Sequence, residues 1–420
     1  MKTETKCVQS GYNPKNGDPR VIPIVHSTTY KYDSTEAVGD LFDLKAPGYF
    51  YTRLANPTCG FVEEKLAALE GGVAAIMTSS GQAASLLSIM NIAACGDHIV
   101  TAGEIYGGTV NLFAVTLKKF GIDFSFVDIT DLKAVEAAIK PNTKAVFAET
   151  IANPALSIPD IEAISKIAHK NGIPLIIDST FATPVLCRPF EFGADIIVHS
   201  SSKYLDGHAV SLGGFVVDGG KFDWAASGKF PGFTTPDESY HGTVYSRDFP
   251  ACAFAVKARV QLMRDLGPAP SPMNAFLVNL GIETLHLRMP CHSQNAQKVA
   301  EFLQKSGKTA AVKYPGLPTD PDYARCKKYL GGQASGVVTF DLGSRERAVK
   351  FMDSLKLAAI VVHVADARTG VLHPASATHR QLTDEQLKAA GINPGTIRFS
   401  VGIESIDDIL EDIEQALAKI

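Results

Sequence analysis

From residue 61 onward the chain alternates short apolar runs with amphipathic segments. The runs VAAIMT (73–78), HIVTA (98–102), FSFVD (124–128), AVFAE (145–149), PLIID (174–178), DIIVH (195–199) and GGFVV (213–217) predict strands. Helical patterns fall between most of them; in 160–168, Ile161, Ile164, Ile167 and Ala168 share one face. Strand–helix alternation predicts an α/β fold with a mostly parallel sheet covered on both sides. Residues 1–60 are rich in Pro, Gly, Tyr and Thr and poor in helical periodicity. They predict an extended arm that packs on something else, such as a neighbouring subunit. Residues 219–250 break the rhythm, hold the only tryptophan, Trp224, and read as a loop-like insertion with a functional role.

LGPAPSP (266–272) reads as a linker. Beyond it the pattern predicts a smaller α+β unit: a helix near 295–306, strands near 336–341, 359–363 and 396–401, and a terminal helix. In that helix Ile406, Ile409, Leu410, Ile413 and Leu417 repeat at helical spacing, and Ser405 with Asp408 predicts a capping box. The expected organisation is an arm (1–60), an α/β domain (61–265) and a C-terminal α+β domain (266–420).

A length of 420 residues fits two or three domains. A net charge of −4 without a basic run argues against nucleic acid as a partner. The nearest pair among the seven cysteines, Cys291 and Cys326, lies 35 positions apart, which removes CxxC redox motifs and clustered zinc sites. The odd, scattered count fits reduced thiols. The N-terminus lacks an apolar signal core and no run of 18 apolar residues occurs. No membrane span is expected, and a cytoplasmic location follows by default. Gly307-Lys308-Thr309 resembles the end of a nucleotide loop, but residue 302 is Phe where the pattern needs Gly. GxGxxG, GxSxG and HExxH are absent. That matters because a parallel α/β sheet alone suits many chemistries.

Four features fall at the carboxyl ends of predicted strands, where open α/β sheets bind ligands. Ser79-Ser80-Gly81-Gln82 opens a helix whose free N–H groups suit a phosphate, though a plain strand–helix turn looks the same. Asp178 ends PLIID and is either a capping residue before Ser179-Thr180 or the counter-ion of a buried cationic ring. Lys203, in His199-Ser200-Ser201-Ser202-Lys203-Tyr204, is either a solvated head group or a desolvated amine able to form a Schiff base. Tyr106 is either a turn aromatic or a ring that stacks on a flat cofactor and carries a proton. A phosphate cradle, an acid, a lysine and an aromatic at one sheet edge are together what pyridoxal phosphate requires.

The run Asp195 to His208, DIIVHSSSKYLDGH, resembles the lysine motif of the Cys/Met-metabolism pyridoxal-phosphate enzymes. So do Tyr51-Thr-Arg53-Leu-Ala-Asn56-Pro57-Thr58, Tyr106-Gly-Gly-Thr109, Glu149-Thr-Ile-Ala-Asn153-Pro154, His373-Pro-Ala-Ser376 and Ile397-Arg398-Phe-Ser400-Val-Gly402. The resemblance spans about residues 5–418. Within the family, FPGFTTPDESYHG (230–242), KARVQLMRDLG (257–267) and HVADARTGVLHPAS (363–376) are most similar to the branch that acts on O-acetylhomoserine. Gly108 stands where methionine γ-lyases often carry Cys. Ser202 replaces the usual Thr and keeps the hydroxyl. Ala209 and Ala377 depart from the family's usual choices.

The resemblance implies the aspartate-aminotransferase-like fold type I of pyridoxal-phosphate-dependent transferases. Lys203 would hold the cofactor as a Schiff base and shuttle protons, and Asp178 would keep the pyridine nitrogen protonated. Ser80, Gly81, Gln82, Ser200 and Ser202 would bind phosphate, with Thr180 also at the cofactor. Tyr106 would stack on the ring, Asn153 would contact the ring hydroxyl or the substrate, and Arg398 would grip the substrate carboxylate. Tyr51, also near the substrate, and Arg53 would reach the phosphate of a neighbouring subunit in a homotetramer with shared active sites. The implied reaction replaces the acetate of O-acetylhomoserine by sulfide or methanethiol, giving homocysteine or methionine. γ-Elimination, as in methionine or cystathionine γ-lyases, and cystathionine γ-synthesis are the near alternatives. A non-catalytic binding protein on this scaffold is the remote one.

Overall fold

The computed structural model describes residues 1–377 and 393–420. All seven predicted strands of the first sheet form: β1 (Ala74–Thr78), β2 (His98–Ala102), β3 (Asp123–Val127), β4 (Thr143–Glu149), β5 (Leu175–Asp178), β6 (Ile196–Ser200) and β7 (Gly214–Asp218). Their order is β1-β7-β6-β5-β4-β2-β3, and only β7 runs antiparallel to its neighbours. Val146, Phe147, Ala148, Ile176, Ile177, Ile196 and Ile197 are fully buried. The central strands are therefore covered on both faces, which is why they read as unbroken apolar runs. One covering helix, Ile161–Lys170, is capped by the Asp160 carboxylate accepting from Ala163 N–H and buries Ile161, Ile164 and Ala168. Another, Pro57–Glu70, is capped by Asn56, carries Pro at its first position and stops at Gly71, whose φ of 79° is the left-handed turn glycine adopts readily.

The second sheet comprises β8 (Ala311–Lys313), β9 (Val337–Asp341), β10 (Ala359–Ile360), β11 (Gly370–Leu372) and β12 (Thr396–Ser400), in the order β10-β11-β12-β9-β8. The helix Leu285–Lys305 packs on β8, β9 and the terminal helix Ile406–Leu417.

Several expectations need correction. The arm is not simply extended. It contains the helices Thr3–Gln9 and Thr35–Phe42, and it buries Cys7, Ile22, Leu41 and Leu54 within its own chain. The long helix starts at Leu285, not near 295. The capping box at the last helix does not form, because the Ser405 side chain makes no cap bond. The 219–250 insertion is built of short helical turns around an aromatic cluster. Trp224 stacks on Phe233 at 4.2 Å, with Phe230 and Phe254 packed beside it. These buried rings give the segment a packed core of its own. The strand expected at 359–363 ends at Ile360, which leaves His363 in the following loop.

Candidate active site

β4, β5 and β6 run parallel, so their carboxyl ends bring Glu149, Asp178 and Ser200 to one edge. Glu149 is the direct register partner of Asp178. The Asp178 Oδ1 accepts the Thr180 N–H at 2.9 Å and the Thr180 hydroxyl at 2.5 Å. That hydroxyl oxygen also accepts the Ser200 N–H at 2.8 Å, tying β5 to β6. Thr180 thus fixes the carboxylate. Burial pushes both Asp178 and Glu149 above the usual carboxylate range, and the charge of Asp178 pushes Glu149 further. Neither has an ion-pair partner among the described residues.

Lys203 follows β6 on a pinned loop. The Tyr204 ring beside it is fully buried, and its hydroxyl accepts the Gly336 N–H at 2.9 Å. Arg288 donates to the Tyr204 carbonyl at 2.9 Å and presses on Gly207, whose φ is +70° and where any Cβ would collide with the guanidinium. The Lys203 Nζ lies 3.3 Å from the His363 Nδ1. Burial, then the nearby Arg398 charge, pulls Lys203 down to about 8. Burial, then Lys203, pulls His363 down to about 4, so the imidazole is neutral and accepts.

The helix Gly81–Met90 begins at this edge, with the Ser80 hydroxyl accepting from Ala83 N–H at 3.2 Å. Gly81 packs directly on Ser200: a Cβ there would lie 2.5 Å from the serine Cβ. The Ser200 and Ser202 hydroxyls are 2.9 Å apart. Gln82 lies against Gly108, where a Cβ would meet both its amide nitrogen and the Tyr106 ring at 2.5 Å. Tyr106 is half-exposed, and its N–H donates to Glu149 Oε1 at 2.7 Å. Arg398, on β12, is buried, and burial pulls it down to about 10. It donates to the Asn153 Oδ1 at 3.3 Å and the Val362 carbonyl at 3.4 Å, while its Nε has no partner among the described residues. Lys203, Asp178, Thr180, Ser200 and Ser202 thus line one edge, with Tyr106, Asn153 and Arg398 joined to it through Glu149. Tyr51 and Arg53 are different. The Arg53 guanidinium lies 5.2 Å over the Tyr51 ring and donates to the Arg264 carbonyl. No hydrogen bond among the described residues joins either to Lys203, Asp178 or Arg398.

A family model described as Cys/Met metabolism PLP-dependent enzyme matches residues 4–418. The chain belongs to that family. An O-acetyl-L-homoserine sulfhydrylase of Leptospira meyeri is 47% identical, covering 100% of this chain and 97% of that protein. A homocysteine/cysteine synthase of Saccharomyces cerevisiae is 42% identical over 96% of this chain and 93% of its own length. The crystal structure of a Campylobacter jejuni chain described as O-acetylhomoserine (thiol)-lyase, with N'-pyridoxyl-lysine-5'-monophosphate, superposes with a TM-score of 0.96 at 38% identity over the whole of both chains. The fold is type I, and the enzyme is pyridoxal-phosphate-dependent.

The residues of this family member fit that cofactor on their own chemistry. Two serine hydroxyls and a glycine-opened helix start offer donors to a phosphate. A depressed buried lysine suits imine formation. Two buried carboxyls without a cation leave room for a protonated ring nitrogen. His363 and Glu149 are the site residues whose roles the sequence did not yield. Nothing in HVADARTG marks the histidine. Glu149 carries the same signal as Asp178, a carboxyl closing an apolar strand. No group of side chains able to hold a metal occurs among the described residues. No helix there is long and apolar enough to cross a membrane.

Proposed function

We propose that this enzyme is an O-acetylhomoserine sulfhydrylase, which replaces the acetate at Cγ by sulfide or methanethiol. The reading is carried by full-length likeness to proteins of that name together with a site that has every group the replacement needs. The cofactor, when bound, supplies an electron sink for carbanionic character at Cα and Cβ. Arg398 and Asn153 bind and orient the amino-acid carboxylate. The Lys203 amine moves protons at Cα and Cβ, a task suited to a base depressed to about 8. Asp178 would keep the ring nitrogen protonated, Tyr106 would stack on the ring and assist departure of the acetate, and Ser80, Gly81, Gln82, Ser200 and Ser202 would hold the phosphate. Acetate is a good leaving group, so Tyr106 need be only a weak acid. All seven cysteines are unpaired, which supports placing the enzyme in a reducing compartment, the cytoplasm.

Purified enzyme given O-acetylhomoserine is expected to release homocysteine and acetate only when sulfide is present. Equal 2-oxobutanoate with and without sulfide makes it a γ-lyase instead.

The same proposal makes the arm (1–60) an intersubunit element, with an α/β domain (61–265) and an α+β domain (266–420) behind it. Tyr51 and Arg53 then complete a neighbour's phosphate site within a homotetramer. Arg53 is exposed and holds the Arg264 carbonyl and the Tyr51 ring face, contacts it could exchange for a phosphate. Mixed oligomers of Arg53→Ala and Lys203→Ala subunits are expected to regain up to about a quarter of wild-type activity, because some interfaces then carry one intact site. No recovery above the parents sinks the shared-site model.

A further inference from the structure

Glu149 has no part in the reaction sketched above, yet it touches three of its participants. It closes β4, side by side with Asp178 on β5. Its Oε1 accepts the Tyr106 N–H at 2.7 Å and its Oε2 accepts the Asn153 N–H at 3.2 Å. Asn153 in turn accepts from Arg398. One buried carboxyl therefore connects the segment that carries the aromatic ring, the residue that holds the substrate arginine, and the acid assigned to the ring nitrogen. We propose that Glu149 is a positioning residue: as a neutral carboxyl it locks the Tyr106 and Asn153 backbones together and leaves the negative charge of the pair on Asp178. This rests on the roles given above to Asp178, Asn153 and Arg398.

The charge assignment follows from the surroundings. The groups facing Glu149 are Asp178 from β5, Tyr106 from the segment after β2 and Asn153 from the turn after β4; Arg398 from β12 lies beyond Asn153, and His199 from β6 acts on Asp178 rather than on Glu149. Asp178 also has the Thr180 hydroxyl and N–H to hold its charge, whereas burial and Asp178 both disfavour ionised Glu149. Two ionised carboxylates side by side in a buried site repel strongly, so one keeps the proton.

The test uses the full-length enzyme with Glu149→Gln and Glu149→Asp. Glutamine is uncharged and offers one acceptor where the carboxyl offers two, so one backbone N–H loses its partner. The KM for O-acetylhomoserine is expected to rise about tenfold, with a smaller fall in kcat. Aspartate is too short to reach both N–H groups and is expected to raise KM similarly while remaining ionisable. The second readout is the melting temperature against pH. A carboxyl whose folded pKa lies above its unfolded one has its stabilising contribution in full below the ordinary carboxylate range and loses it as pH rises toward the folded value. Relative to wild type, the glutamine variant should therefore gain stability between pH 5 and 8, by roughly 2 °C or more. The aspartate variant should not. A glutamine variant running parallel to wild type, or a KM within twofold of wild type in both variants, overturns the proposal. If the glutamine variant does not fold, unchanged KM in the aspartate variant still overturns it. A wild-type protein that binds no pyridoxal phosphate defeats the functional reading instead, while the pH slope still reports on Glu149.

Discussion

Replacing Lys203 with alanine is expected to lower kcat/KM for O-acetylhomoserine by at least about 10³-fold and leave the fold intact. Proton transfer by a positioned side chain contributes roughly 10²–10⁴-fold, and covalent attachment of the cofactor is lost as well. The fold should survive because, among the described residues, Lys203 makes one side-chain hydrogen bond, to His363, and no ion pair with a carboxylate. The loop is held instead by Tyr204 and Arg288, both untouched by the change. Removing a buried amine also removes a desolvation cost. Three measurements check this together: the yellow absorption of bound cofactor, borohydride trapping followed by peptide mapping, and the melting temperature. Wild-type protein should carry the pyridoxyl mark at residue 203, and the variant should carry none. Turnover within tenfold of wild type would falsify the assignment of the amine.

Lys203 is legible in the sequence because it sits where two independent patterns agree. DIIVH is apolar enough to be a central strand, and the polar stretch after it has to emerge at the ligand edge. The same logic marks the whole first sheet. Its central parallel strands β2, β4, β5 and β6 are buried on both faces, so each shows as an apolar run that amphipathic helices do not imitate, while the edge strand β3 is partly exposed. Elements that rely on packing are less legible. The helix Thr3–Gln9 buries only Cys7, so nothing apolar recurs at helical spacing. β8 and β11 have three residues each, too few for a period to show. Trp224 reads as part of a loop because sequence spacing conceals a cluster that closes in space through Phe233 and Phe254. The meeting of His363 with Lys203 spans 160 positions and depends on how the loop after β10 lies over the first sheet. No local pattern encodes that.

The second large effect is expected at Asp178, and its signature is activity and stability moving in opposite directions. Asparagine there keeps the shape and keeps an oxygen for the Thr180 N–H and hydroxyl, so the β5–β6 link through Ser200 should persist. What it removes is the charge opposite the ring nitrogen. Breaking a buried ion pair from one side costs about 3–5 kcal/mol. Expressed fully in the transition state, that is a loss of roughly 10²–10⁴-fold in kcat/KM. Stability of the cofactor-stripped protein should move the other way. Burial raises the Asp178 pKa, so above the ordinary carboxylate range the wild-type residue loses its stabilising contribution as pH rises, and asparagine has no such loss. Asparagine also removes the charge that repels Glu149, which should bring that carboxyl's pKa down. At pH 7 to 8 the stripped variant should therefore melt no lower than wild type while turning over far more slowly. Cofactor titration should show weaker retention of pyridoxal phosphate in the same variant, since the cation it binds has lost its partner. A variant that melts well below wild type yet retains normal kcat/KM makes Asp178 a structural cap for Thr180 and nothing more.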